Sequence, residues 1–194
     1  MVEKGAEFEE GDSRRYFKYR VVFQGNQVKD QNWQVALFNE MQSTPATLEA
    51  SRVADIYSCM RQPNGDRHTV ETRDVEQAYL QAEMRGPLVY IMLLEELWTE
   101  KMWGMKCPVF PLHKALYGHK HSGVFWQEHC HVQATNAGFV PISTASWPCV
   151  YWNDQLKLLL IIYVDDMKLS GPEKNMKQAW EAIGRNITLS LIHI

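Results

Sequence analysis

The sequence predicts an α+β fold, and three observations carry that prediction. Strand-like and helix-like segments follow one another irregularly, without the strict alternation that builds a parallel sheet. Leu158-Leu-Leu-Ile-Ile-Tyr-Val164 is a continuous apolar run of strand length, bounded by polar turn signals. Asn153-Asp154-Gln155 separates it from Cys149-Val-Tyr-Trp152, and Asp165-Asp166 separates it from Met167-Lys-Leu-Ser170, so antiparallel hairpins are indicated on both sides. The composition suits this reading: 194 residues, 45% hydrophobic and 22% charged, are enough for one core and exclude collagen-like, mucin-like and mostly disordered chains. No apolar stretch approaches the roughly 20 residues of a membrane span. The N-terminal ten residues are acidic and lack an apolar core segment, so neither a secretory signal nor a basic transit peptide is expected. The four cysteines are scattered without a C-x-x-C pair, which suits free thiols in an intracellular protein. A formal net charge of −3 gives no whole-chain argument for a polyanionic partner.

Residues 1–13 are acid-rich and predict a flexible, solvated tail. From Arg14, bases alternate with aromatics and then give way to Val21-Val22-Phe23, a strand closing at Gly25; its basic face suits either plain solvent or a nucleic-acid backbone. Leu48, Val53, Ile56 and Tyr57 mark a surface helix between Ser43-Thr44-Pro45 and the turn at Pro63-Asn64-Gly65. His68 to Tyr79 alternates first and then becomes helix-like, so a strand hands over to a helix near Asp74. Val89–Leu93 and Val109–Leu112 read as short strands around a Trp-rich loop. Leu116 to Ala137 reads as mainly helical after an irregularity at Gly118–Gly123, with Gly138 as its C-terminal stop. Lys174 to Ile187 is a final amphipathic helix. Residues 189–194 look like a translated sequencing-adapter end and are set aside from fold reasoning, leaving 14–188 as the folded region.

The chemistry is concentrated in carboxylates. Aspartate is depleted in strands, yet Asp165 and Asp166 stand side by side between two strongly apolar strands. A tight polar turn would account for their position alone. Adjacent acids at the end of a buried strand nevertheless repel one another and resist desolvation, and a divalent cation removes that cost. Asp74 ends another strand, which could deliver it to the same sheet edge and complete an oxygen-rich site for Mg²⁺.

With these residues assembled, the chain resembles a known family. Tyr163-Val164-Asp165-Asp166 matches the YxDD motif of reverse transcriptases, and Asp74-Val-Glu-Gln-Ala-Tyr-Leu80 resembles their first catalytic motif. Leu112-His-Lys-Ala-Leu-Tyr-Gly118, followed by Trp126, is similar to the L-x-K-A-L-Y-G segment of copia-type retrotransposon reverse transcriptases. Lys18-Tyr-Arg20-Val-Val with Gly25 resembles the K-A-R-L-V segment opening the same domain, and Gly138-Phe139 and Cys149-Val-Tyr151 resemble its G-F and C-x-Y elements.

The resemblance implies fingers and a palm, with an antiparallel sheet carrying Asp74 and the YVDD hairpin and helices packed on one face. It implies RNA-directed DNA polymerisation, with an RNA template, a DNA primer and deoxynucleoside triphosphates as partners. Asp74, Asp165 and Asp166 match the catalytic, metal-binding carboxylates, with Asp165 the principal ligand and Asp166 a less direct one. Two Mg²⁺ ions, for which Mn²⁺ can substitute, would activate the primer 3′-hydroxyl and stabilise the leaving pyrophosphate. Tyr79 matches the aromatic beneath the incoming sugar, although a helix tyrosine also serves simply as core. Lys18 and Arg20 match bases that meet the triphosphate, and Tyr163 and Val164 would line the primer and nucleotide side. Lys114, Lys120 and His121 belong to a cationic stretch suited to template and primer, or to a solvated helix face. The family reads L-K-Q-A-P where this chain has His119-Lys120-His121-Ser122-Gly123, so a glutamine that helps seat the nucleotide is absent. One helix follows YVDD, which implies a Pol polyprotein piece whose thumb, ribonuclease H and integrase lie elsewhere, at work in the cytoplasm or in virus-like particles.

Other chemistries fare worse. His129 and His131 lie two apart and cannot chelate together on one helix face, and no zinc spacing matches. Adjacent Asp165 and Asp166 cannot flank a sugar as glycosidase carboxylates do, and no G-x-S-x-G occurs. A decayed nucleic-acid-binding relic that keeps the fold without catalysis remains the main alternative.

Overall fold

The structure is a computed structural model that describes residues 2–6, 17–36, 43–61 and 65–190, with 2–6 and 17–21 described by backbone alone. In chain order the elements are β1 (Val2–Ala6), β2 (Phe17–Val21), α1 (Leu48–Ser58), β3 (His68–Val75), α2 (Ala78–Gln81), β4 (Tyr90–Met92) and β5 (Val109–Pro111). They continue as α3 (Ser122–Asn136), β6 (Val140–Ser143), β7 (Trp147–Asn153), β8 (Leu158–Tyr163), β9 (Asp166–Pro172), α4 (Glu173–Ile183) and β10 (Leu189–Ser190). Helices combined with antiparallel sheet make this an α+β protein. A six-stranded antiparallel sheet in the order β10-β3-β9-β8-β7-β6 forms the centre, and β1-β2 and β4-β5 form separate two-stranded ribbons.

Side-chain alternation divides the central sheet into two faces. Leu158, Leu160 and Ile162 of β8 point toward the larger core, where α3 contributes Phe125, Trp126, Cys130 and Ala134 and α4 contributes Met176, Ala179, Trp180 and Ile183. The α4 spacing is i, i+3, i+4, i+7, one apolar stripe laid on the sheet. Trp180 is fixed there by its indole N–H, which donates to Glu71 Oε2 at 2.8 Å, and by the Arg73 guanidinium 4.7 Å from its ring centre. At the end of α3, Gly138 takes a φ of +85° and its N–H bonds back to Thr135, while the Phe139 N–H reaches Ala134. That turn carries Phe139 into the core.

Leu159 and Ile161 point the other way, toward Ala46, Ala50 and Ala54. Thr47 caps α1 by accepting from the Ala50 N–H at 3.3 Å, and the small alanines let the helix come close to the sheet. Ser170 Oγ donates to the Ala54 carbonyl at 2.6 Å, and Lys168 Nζ reaches Asp55 at 2.6 Å and Ser51 Oγ at 3.0 Å. Helices therefore cover both faces, which corrects the expectation of helices on one face. The reason lies in β8, where Leu158 to Ile162 are all buried; an unbroken apolar run needs a cover on each side.

A short strand lies toward each end of the chain, β1 and β10. The tail predicted over 1–13 fails for residues 2–6, which pair with β2 and place Glu3 opposite Arg20, oppositely charged residues at facing positions. Residues 7–13 lie outside the described residues. Of residues 189–194, read as an adapter-derived end, Leu189 and Ser190 pair with Val75 and Asp74, and Leu189 packs on the main core. Residues 191–194 lie outside the described residues. No helix among the described residues is long and apolar enough to cross a membrane.

Candidate active site

The register of β3, β9 and β8 brings the acids together. Asp74 lies directly opposite Asp166, and Asp166 in turn pairs with Tyr163 across a two-residue turn made by Val164 and Asp165. In an antiparallel sheet, facing residues share a face, so Asp74, Asp166 and Tyr163 occupy the α1 side of the sheet end. Asp165 is tied to the same place through its backbone: its carbonyl accepts the Val75 N–H at 2.8 Å, next to Asp74 in sequence. Asp166 and Tyr163 are exposed, and Asp74 and Asp165 are half-buried.

Electrostatics show that Asp166 feels the other two acids. The Asp166 carboxyl is held above the usual carboxylate range by partial desolvation at the sheet edge, then by the charge of Asp165, then by that of Asp74. A carboxylate pushed up by two neighbouring carboxylates is oxygen-donor chemistry that fits a hard divalent cation. Among the described residues, no three or more His, Cys, Asp or Glu side chains are closed up tightly enough to hold an ion as they stand.

The turn is strained. Val164 has φ +56°, a left-handed conformation that costs a β-branched residue about 1–3 kcal/mol. Its carbonyl accepts the Trp126 indole N–H at 2.5 Å, and Trp126 is 2% exposed. Ser122, Trp126, Cys130 and Ala134 form a buried i, i+4 stripe on α3, which aims that indole at the turn.

A second group of residues stands beside the acids. Glu83 bridges to Lys114, the Ala115 N–H bonds to Ala82, and the Met84 N–H bonds to His113, so residues 112–117 run alongside α2. The result is a tilted Tyr79–Tyr117 ring pair with centroids 4.7 Å apart. Tyr79 serves in two ways: it packs partly buried against the main core, and its hydroxyl titrates higher because of burial and then the Asp165 charge. Tyr117 is anchored from behind, its carbonyl accepting the Phe23 N–H at 2.7 Å. Gly118, at φ +90°, lets Phe23 approach so closely that a Cβ there would fall 2.0 Å from the Phe23 carbonyl oxygen. Gln81 clasps the returning chain, donating to the Glu76 and Thr188 carbonyls at 2.6 and 3.1 Å and accepting the Thr188 N–H at 2.9 Å. That clasp sets Ser190 opposite Asp74 on the other side of β3.

The remaining sequence candidates are spread more widely. The backbones of Lys18 and Arg20 lie in β2, and their side chains lie outside the described residues. Tyr163 and Val164 belong to the hairpin itself. Lys114 Nζ lies 3.8 Å from Glu83 and donates to the Gln81 carbonyl at 3.4 Å. Lys120 is exposed. His121 is half-buried, edge-on to Phe125 and to the His119 ring, and borders an open cleft of about 1470 Å³ also lined by Phe23, Trp33 and Tyr90. None of the three acids lines that cleft. His119 is buried, and its pKa is lowered by that burial and then by His121. Sequence reasoning gave Tyr117 and Trp126 no role of their own, although both stand inside or just after the quoted L-Y-G segment.

An antiparallel sheet that sets an aspartate pair at a hairpin turn beside a third aspartate on the next strand has the donor chemistry of metal-dependent phosphoryl transfer. A family model described as reverse transcriptase (RNA-dependent DNA polymerase) matches residues 8–189. The chain belongs to that family, whose activity is RNA-directed DNA polymerisation from deoxynucleotides on a nucleic-acid template. No curated protein and no solved structure matches the chain.

Proposed function

We propose that this chain is the palm and fingers of a copia-type retrotransposon reverse transcriptase, part of a Pol polyprotein that acts in the cytoplasm or in virus-like particles. The observation that carries the reading is the facing of Asp74 and Asp166 beside Asp165 at one hairpin end, in a chain of the reverse transcriptase family. Asp74, Asp165 and Asp166 would hold two Mg²⁺ ions, which when bound supply activation of the primer 3′-hydroxyl and charge neutralisation on the triphosphate. Tyr79 closes the sugar side of the nucleotide site, with Tyr117 against its ring. Bulk at Tyr79 disfavours a ribose 2′-hydroxyl, and Lys18 and Arg20 supply charge to the triphosphate. Tyr163 and Val164 present the hairpin to the primer end. Lys114, Lys120 and His121 supply charge and donors to template and primer, with Lys114 also within 3.8 Å of Glu83.

A second reading, a nucleic-acid-binding relic without catalysis, is favoured by His119-Lys120-His121-Ser122-Gly123 in place of the family's L-K-Q-A-P. Primer extension on an RNA template, with Mg²⁺ or Mn²⁺ and with the parent chain compared with Asp165→Asn, separates the two. The polymerase reading expects extension by the parent and none by the variant. Template-primer binding by both without extension by either supports the relic, and equal extension by both removes the metal assignment.

A further inference from the structure

We propose that Trp126 is a positioning residue for the aspartate hairpin: its indole N–H holds the Val164 carbonyl and so keeps the turn in the conformation that presents Asp165 and Asp166. The functional half of this inference rests on the polymerase reading; the conformational half does not. Two successive carbonyls of the turn are tied to two different elements. Val164 is held by Trp126 of α3 at 2.5 Å, and Asp165 is held by the Val75 N–H of β3 at 2.8 Å. Val164 needs such a hold because φ +56° is a conformation that L-residues leave readily, and rotation there reorients both following carboxylates. Trp126 is suited to supply it. The ring is buried, stacks on His129 with centroids 5.6 Å apart, and borders a small cavity of about 40 Å³ shared with Tyr79, Cys130, Ile162 and Val164. An indole packed this way keeps its N–H aimed at the turn.

Glycine provides the matching control. The first central position of a two-residue hairpin turn favours glycine when its φ is positive, so Val164→Gly removes the need for the indole restraint. The test is amide hydrogen exchange by NMR on the full chain, in the parent, Trp126→Phe, and Trp126→Phe combined with Val164→Gly. The Val75 amide, which bonds to Asp165, reports on the turn, and the Phe139 amide, which bonds to Ala134, reports on the distant core. The inference predicts about tenfold faster exchange at Val75 in Trp126→Phe, little change at Phe139, and return toward parent behaviour in the double variant. In primer extension, kcat of Trp126→Phe should fall about tenfold with the nucleotide KM nearly constant. Unchanged exchange at Val75 overturns the inference. So does acceleration that is equal at Phe139 and not reversed by glycine, since that marks a merely structural tryptophan. If Asp165→Asn extends primers as well as the parent, the polymerase reading fails while the exchange result still decides the role of Trp126.

Discussion

Asp166→Asn should make the metal-free protein more stable while disabling the site. The folded-state pKa of Asp166 is raised, by desolvation first and by Asp165 and Asp74 next. A raised acid pKa means the folded chain binds the proton more tightly than the unfolded chain. Its favourable contribution is therefore present at low pH, and stability declines as pH rises from the unfolded value of about 4 through the folded one. Facing residues in an antiparallel pair place their Cβ atoms about 5 Å apart, and at that distance two charges in water repel by about 1 kcal/mol. Asp166 is exposed, so the water-like figure applies. In a chain of this size about 1 kcal/mol corresponds to roughly 2–4 °C in Tm. Thermal melts in a chelating buffer at pH 7 should thus show Asp166→Asn melting roughly 2–4 °C above the parent. The gap should narrow toward pH of about 4, as the parent carboxyl takes up its proton, and narrow again when Mg²⁺ is added to the parent at pH 7. An Asp166→Asn protein no more stable than the parent at pH 7, or a gain that persists unchanged at low pH, refutes the picture of mutually repelling acids.

The other predictions concern the walls of the site. Tyr79→Ala should raise ribonucleotide incorporation relative to deoxynucleotide incorporation by about tenfold or more, measured as the ratio of kcat/KM values; an unchanged ratio removes the sugar-gate role. Gly118→Ala should cost at least about 2 kcal/mol, because the added Cβ meets the Phe23 carbonyl and φ is +90°. Tm should then fall by roughly 4 °C or more, and a neutral outcome would mean that residues 22–25 do not pack on Gly118 as described.

How much of this was legible in the sequence differs from element to element. The unbroken apolar run of β8 marked the central strand, and the acids after it marked the candidate site, because burial and charge leave local signatures. The same run already implied a cover on both faces, and only the assumption of a one-sided sheet hid α1 as the second cover. β6 was not legible: Val140-Pro-Ile-Ser143 is short, contains a proline, and is a strand only because β7 pairs with it. The helix expected after the Gly118–Gly123 irregularity begins at Ser122, whose Oγ bonds to both the N–H and the carbonyl of Leu116 and closes the preceding loop. The pairing of Lys114 with Glu83 was not legible either, because it joins positions 31 apart that only the fold brings together. Tyr117 and Trp126 were invisible for the same reason, as their roles arise from long-range contacts with Tyr79 and Val164 that no spacing encodes.

The claim at the centre of this account is that Asp74, Asp165 and Asp166 form one divalent-cation site. It is tested most directly by titrating Mn²⁺ and following the free ion by electron paramagnetic resonance, with template-primer and a deoxynucleoside triphosphate present. The parent, Asp74→Asn and Asp165→Asn should be compared side by side. The account predicts Mn²⁺ binding by the parent that Mg²⁺ displaces, weakened at least about tenfold by either substitution. Equal binding by all three proteins would contradict it.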